Sequence, residues 1–366
     1  MAQEKKQWGA IIVMIALFAM IAFVTNLCSP MATIIKNQGE ISNVLAQIGN
    51  YGNFVAYLLM GIPAGMLISK FGYKKTALIG LAVGIIGIGI QWFSGQLDAK
   101  ENLGLVFGVY LTGAFIAGFC MCILNCVVNP MLNLLGGGGN KGNQLIQIGG
   151  VFNSSAAVAV YILMGALIGE VTKDTKIADA TPALMIALAI FVVAFIVILF
   201  TKIEEPEQAP VRVDLIVGAL GFRHFALGLL AIFLYMGIEV GVPSYVGFYL
   251  TEDMKIPENI VGLLVAVYWF MMLIGRFVGA SIGSKVSARA MITTVSLITL
   301  VLVLFGMYAP TDILVTFPGV DWAKLEFITQ DIPVGTFAFL LVGLCTSVMW
   351  GSIFNMAVED GTPHNG

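Results

Sequence analysis

Apolar residues run through this chain in long uninterrupted stretches, and the polar residues between them come in short clusters. Ten stretches are each about 20 residues or more, enough to cross a bilayer as helices rising about 1.5 Å per residue. They fall at approximately 9–35, 43–68, 76–95, 105–132, 144–169, 182–201, 225–250, 259–282, 290–308 and 335–358. The pattern predicts an all-α membrane protein of ten spans. The most polar interruption, Lys202 to Asp214 (KIEEPEQAPVRVD), reads as a charged, proline-containing linker with six spans before it and four after. The expected organisation is an N-terminal half over 1–201, a cytoplasmic linker over 202–221 and a C-terminal half over 222–366.

The halves share a local pattern. Ser69-Lys70-Phe71-Gly72-Tyr73-Lys74 follows the second span, and Ser284-Lys285-Val286-Ser287-Ala288-Arg289 follows the eighth. Basic charge is ordinary in a short cytoplasmic loop, but the matching order Ser-Lys-apolar-small-x-basic points to a repeat, and parallel halves are a known transporter plan. Two equivalent halves would hold six spans each. The chain stops at Gly366 on polar residues (GTPHNG) just past the tenth, so the expectation is a fragment lacking its last two of twelve helices.

Composition agrees with membrane residence: 59% of residues are hydrophobic and 11% charged, against about a quarter charged in soluble domains. A net charge of −3 carries no sign of a nucleic-acid partner. With the N-terminus cytoplasmic and the sides alternating, twelve of the 18 lysines and arginines fall on the cytoplasmic face. That is the positive-inside bias, and it places both termini in the cytoplasm. Lys5 and Lys6 precede the first span as in a signal peptide, but that span is too long and lacks a small-x-small cleavage site, so it reads as a retained helix. Cys28, Cys120, Cys122, Cys126 and Cys345 all lie in apolar runs, as small core residues rather than a disulfide frame. Cys122 and Cys126 share a helix face with no histidine near, so no metal site is expected. Gly136 to Gly142 (GGGGNKG) lacks the Gly-Lys-Ser/Thr order of a phosphate loop. His224 and His364 sit at membrane edges or in loops. No cofactor is expected, and no catalytic constellation that would suggest an enzyme.

Of the 21 acidic residues, only Glu239 lies deep in a span. An ionisable group at that depth costs a few kcal/mol on insertion scales and usually faces a wet cavity where it has a job. Four residues later, Pro243 removes the hydrogen bond to the Glu239 carbonyl. Pro30 likewise frees Asn26 beside Ser29 in the first span, and Pro130 frees Cys126 between Asn125 and Asn129 in the fourth. Proline is common in membrane helices, and neighbouring helices can satisfy such carbonyls. Breaks in the first, fourth and seventh spans nonetheless suggest one shared cavity. Gln147 and Asn153 in the fifth span, Tyr268 and Trp269 in the eighth, and Trp350 and Asn355 in the tenth extend the candidate set. Amides donate and accept, and aromatic faces pack on sugar rings, so a neutral polyhydroxylated solute fits. The competing readings are helix–helix glue for each amide and interface anchoring or packing for the tryptophans. Arg276, near the cytoplasmic end of the eighth span, is assigned to the gate, together with Lys70, Gly72, Lys74, Lys285 and Arg289 in the repeated loops. Ordinary positive-inside charge explains the lysines as well.

These residues resemble the fucose–proton symporter family of the major facilitator superfamily, which includes bacterial glucose/galactose transporters. The most specific matches are Asn125-Cys126-Val127-Val128-Asn129-Pro130 and Phe152-Asn153-Ser154. Further matches are Leu234 to Val240 (LYMGIEV), which brings Tyr235 of the seventh span into the candidate set, and Tyr268-Trp269 followed by Gly275-Arg276-Phe277-Val278-Gly279. Gly65 to Lys75 (GMLISKFGYKK) looks like the superfamily's signature loop, with Ser69 in place of the usual aspartate. The resemblance implies two six-helix halves, with the first, fourth, seventh and tenth spans lining a central cavity. It also exposes departures. Ser29 stands where fucose carriers have an aspartate, and Asn125 where the family has glutamate or glutamine. Two usual coupling acids are absent, which makes glucose or galactose a better expectation than fucose.

The combined expectation is an alternating-access secondary transporter of a neutral sugar, acting as a monomer in a bacterial inner membrane. Glu239 binds the coupling cation, proton or sodium, directly or through its own protonation. An uncoupled facilitator and a sugar sensor that moves nothing are the alternatives.

Overall fold

A computed structural model describes residues 7–39, 48–97, 99–168, 175–203, 205, 218–321 and 326–359. They form two compact units, one over 1–135 with 155–212, the other over 136–154 with 213–366. The helices are α1 (Trp8–Gly39), α2 (Ile48–Ser94), α3 (Ala99–Leu135), α4 (Gly139–Ile168), α5 (Thr181–Phe200), α6 (Arg223–Phe248), α7 (Glu258–Ile282), α8 (Ala288–Tyr308), α9 (Val334–Thr346) and α10 (Met349–Glu359). With α2 counted twice and α9–α10 once, they correspond to the ten expected spans. Eight stretches among the described residues are long and apolar enough to cross a membrane, one of them the 40-residue Val55–Ser94.

In the first unit α2 needs its break. A straight helix of its 47 residues would be about 70 Å long, twice the hydrocarbon core. Gly72 supplies the break at φ 80°, ψ 172°, a conformation closed to L side chains. The helix that restarts there is capped from a distance: the Tyr73 and Lys74 amides donate to the Glu205 carboxylate at 2.7 and 2.9 Å. A carboxylate at a helix N-terminus satisfies orphan donors and the helix dipole together. Lys74 Nζ in turn donates to the Leu199 and Thr201 carbonyls at the end of α5. In the second unit the equivalent turn is capped locally, Ser287 Oγ accepting from the Ala290 amide at 3.2 Å. The repeated loop is thus one sequence pattern closed by two different caps.

Within the first unit α2 and α3 meet backbone to backbone. A Cβ on Gly87 would lie 2.6 Å from the Ala117 nitrogen, and one on Gly113 would lie 2.7 Å from that of Gln91. Such contacts between small residues replace the hydrophobic drive that lipid removes. The second unit repeats the device between α7 and α9, where Gly343 lies against the main chain of Tyr268, and Gly275 against Ser347.

Two features depart from unbroken apolar helices. The tenth span is interrupted between α9 and α10. Thr346 Oγ1 donates back to Gly343 and Val342, and Ser347 Oγ donates to the Leu344 carbonyl at 2.5 Å. Hydroxyls bonded to preceding carbonyls compete with the helix and bend it. The connection from the ninth to the tenth span also holds an antiparallel hairpin, β1 (Leu314–Asp321) and β2 (Glu326–Pro333), so the protein is not wholly α. Phe317, Ile328 and Ile332 turn inward onto a cluster that includes Ile260 of α7. This alternation of apolar and polar positions is the strand period, hidden in sequence between two much stronger apolar runs.

Candidate functional site

In the second unit the candidate residues converge on Glu239. Arg276 Nη2 of α7 lies 3.9 Å from Glu239 Oε1, with the two side chains only 10% and 13% exposed. The same guanidinium holds α4 more tightly. Nη1 donates to the Gly150 carbonyl at 2.8 Å and to Asn153 Oδ1 at 3.0 Å. Tyr235, one helical turn before Glu239, hydrogen-bonds its carboxylate and sets its ring 6.2 Å from Trp350 of α10. Asn153, Tyr235, Glu239, Arg276 and Trp350 therefore share one neighbourhood.

The helix runs on through Pro243, and the Glu239 carbonyl that loses its helical bond there has a partner as well. Tyr268, fully buried on α7, places its hydroxyl 3.2 Å from the Glu239 carbonyl that the proline ring leaves free, and 3.2 Å from Thr346 Oγ1 of α9. One phenol thereby links three helices at the level of the buried carboxylate. Its neighbour Trp269 packs edge-on against the ring at 5.3 Å. Replacing Tyr268 by Phe keeps the packing and removes both bonds, leaving a buried acceptor unpaired. The expected loss is about 1–2 kcal/mol, read as a lower unfolding temperature of the purified protein in detergent.

Two other amides are committed to helix packing. Gln147 Nε2 of α4 donates to the Val348 carbonyl at 3.2 Å, and Asn355 Nδ2 of α10 donates to the Gly139 carbonyl at 3.1 Å. Both side chains are buried. They fasten the first half of α4 to the second unit, with Gln144 adding a bond from Nε2 to the Ala280 carbonyl at 2.9 Å.

The first unit carries its own polar set. Asn125 Nδ2 donates to the Tyr57 hydroxyl at 2.6 Å, and Asn129 Nδ2 lies 3.1 Å from the Asn125 carbonyl and 3.3 Å from Asn125 Oδ1. Asn26 Nδ2 bonds to the Ala22 carbonyl one turn back in α1 at 2.8 Å. Ser29 lies in α1, but its side chain falls outside the described part. Tyr57 and Thr346 are the partners that sequence reasoning missed. The available signal was a hydroxyl in an apolar span, which needs a partner when buried. Lys70, Lys285 and Arg289 are exposed, whereas Gly72 and Lys74 belong to the capped turn described above.

Helices of spanning length and a buried charged pair define a multi-pass membrane protein. The model of the Major Facilitator Superfamily matches residues 11–365, and the chain belongs to that superfamily. It is similar to the glucose/galactose transporter of Brucella abortus biovar 1 (strain 9-941), 25% identical over 365 residues that cover 97% of this chain and 82% of the relative. It is also similar to the L-fucose-proton symporter of Escherichia coli (strain K12), 22% identical over 374 residues, 94% of this chain and 78% of the relative. The crystal structure of the E. coli fucose:proton symporter aligns with a TM-score of 0.78 at 18% identity, over 97% of this chain and 85% of that one. At that identity the likeness speaks for the fold.

Proposed function

We propose that this chain is an alternating-access secondary transporter of a neutral hexose or related sugar, coupled to a proton or sodium ion through Glu239. The observation that carries the reading is the buried carboxylate on a helix that runs through Pro243, held beside Tyr235, Tyr268 and Arg276. A group of that kind is retained in a membrane where it binds something. The relatives are named for glucose, galactose and L-fucose, the last with a proton, which supports a sugar as solute and a cation as driver. Within the superfamily we place the chain in the fucose–proton symporter family.

In this reading Asn26, Ser29, Asn125 and Asn129 offer hydrogen bonds to sugar hydroxyls from the first half, and Asn153, Tyr235 and Trp350 line the second. Gln147, Tyr268, Trp269 and Asn355 support them from the helix contacts. The halves are 1–201 and 222–366, joined by the linker 202–221, and the capped loops at Gly72 and Ser287 carry the gating charges. The protein works as a monomer in a bacterial inner membrane, with both termini cytoplasmic.

Arg276 favours a second reading, uncoupled facilitation, because it already supplies Glu239 with a counter-charge. Counterflow in proteoliposomes with labelled D-glucose, D-galactose and L-fucose tests transport itself. Preloaded sugar is expected to drive entry of label. No counterflow with any sugar of the panel, from protein shown to be folded, sinks transport in favour of a sensor.

A further inference from the structure

The Arg276 guanidinium is shared unequally. Its two short bonds go to α4, to the Gly150 carbonyl and to Asn153, and its long contact at 3.9 Å goes to Glu239. Gly150 makes the close approach possible, since a Cβ there would stand 3.2 Å from Arg276 Cδ. The geometry points to Arg276 as a displaceable counter-cation that competes with the transported cation for Glu239, with the fifth span as its second seat. The inference rests on the proposed coupling role of Glu239.

The argument is one of partners. A buried arginine left without acceptors is very costly, so a guanidinium bound only to Glu239 would resist displacement. Here it is not bound only there. When a proton or sodium ion takes the carboxylate, Arg276 gives up a long contact and keeps two charge-assisted bonds. The cation therefore competes against a weakened partner, and the position of Arg276 on α4 reports the state of Glu239.

The described groups facing the carboxylate are few. Tyr235 comes from its own helix, and Arg276 and Tyr268 come from α7. Cys345 of α9 lies beside Tyr268, and α4 presents the uncharged Gly150 carbonyl and Asn153 amide. Among these groups Arg276 is the positive charge, so the competition has one named source.

The test is tracer uptake of D-glucose or D-galactose into proteoliposomes, titrated from pH 5 to 9 with and without sodium. Arg276→Gln removes the competitor, so the cation is expected to bind more readily. The pH of half-maximal uptake should rise by about one to three units, the size of effect that one opposite charge within about 4–6 Å exerts. If sodium is the ion, its half-saturating concentration should fall about tenfold or more. Asn153→Asp strengthens the α4 seat and should shift the midpoint the same way. Asn153→Ala weakens that seat and should shift it the opposite way, an inversion that loosened packing would not produce. In a Glu239→Gln background, where uptake is expected only to equilibrate and to have no pH or sodium midpoint, Arg276→Gln should leave uptake equally indifferent to pH and sodium.

An unmoved midpoint in Arg276→Gln, with counterflow intact, overturns the inference. So do equal shifts with and without the Glu239 carboxylate, or shifts of one sign in both Asn153 variants. If Arg276→Gln does not fold, the Asn153 pair decides alone. Wild-type counterflow with uptake indifferent to pH and sodium leaves transport standing and overturns this inference together with coupling. Absence of wild-type counterflow overturns the inference with the transport reading itself.

Discussion

Glu239→Gln is expected to abolish concentrative sugar uptake while leaving exchange of preloaded sugar in place. Glutamine matches glutamate in size and still accepts a hydrogen bond from Tyr235, and Arg276 keeps its two bonds to α4. The fold is therefore preserved, and what disappears is the titratable charge. The magnitude is large. Moving one charge through 100 mV stores about 2.3 kcal/mol, which sustains roughly 50-fold accumulation. Without the charge, sugar should only equilibrate across the membrane. Tracer accumulation in energised vesicles, compared with the same vesicles after an ionophore, measures the difference. Full accumulation by the variant would end the coupling role of Glu239. Full exchange would not, because exchange proceeds without net coupling.

Gly343→Ala is expected to be the most damaging of the small packing changes. The added methyl would run into the Tyr268 carbonyl oxygen and lie 3.1 Å from its carbonyl carbon. Those are backbone atoms, which no rotamer change can move aside. The α7–α9 contact would have to open, and with it the Tyr268 bonds to Glu239 and Thr346. Over-packing costs typically reach about 3 kcal/mol, or about 6–12 °C in unfolding temperature for a unit of this size. Gly262→Ala on α7 is the control, because a Cβ there meets nothing within 4 Å. Thermal unfolding in detergent should separate the two. Equal unfolding temperatures would show that the helices are not held at this glycine.

The carboxylate and its proline were legible because both act locally. Insertion cost attaches to one residue, and the missing amide bond is fixed by the interval between Glu239 and Pro243. The partner for the freed carbonyl was not legible. Tyr268 is 29 residues away on another helix, and its reach depends on how closely glycines let α7 approach α9. Gln147 and Asn355 show the same limit. An amide in an apolar span has to bond to something, but whether a helix or a sugar receives that bond is settled by distances of a few tenths of an ångström. Here carbonyls of neighbouring helices lie within reach of both. Arg276, placed at a gate by its nearness to the span end, turns inward because α4 offers it two acceptors. The hairpin at Leu314–Pro333 escaped because strand periodicity over eight residues is faint beside runs of twenty.

By itself, then, the sequence determined the spans, their order along the chain, the matching loops and the one deep carboxylate. Each follows from hydropathy summed over a short window or from a fixed spacing. The tertiary structure alone decided which groups the carboxylate meets: Arg276 held off at 3.9 Å, Tyr235 beside it and Tyr268 behind its backbone. Bond partners are a property of helices brought together, and the strength of an ion pair falls with a distance that no single helix encodes.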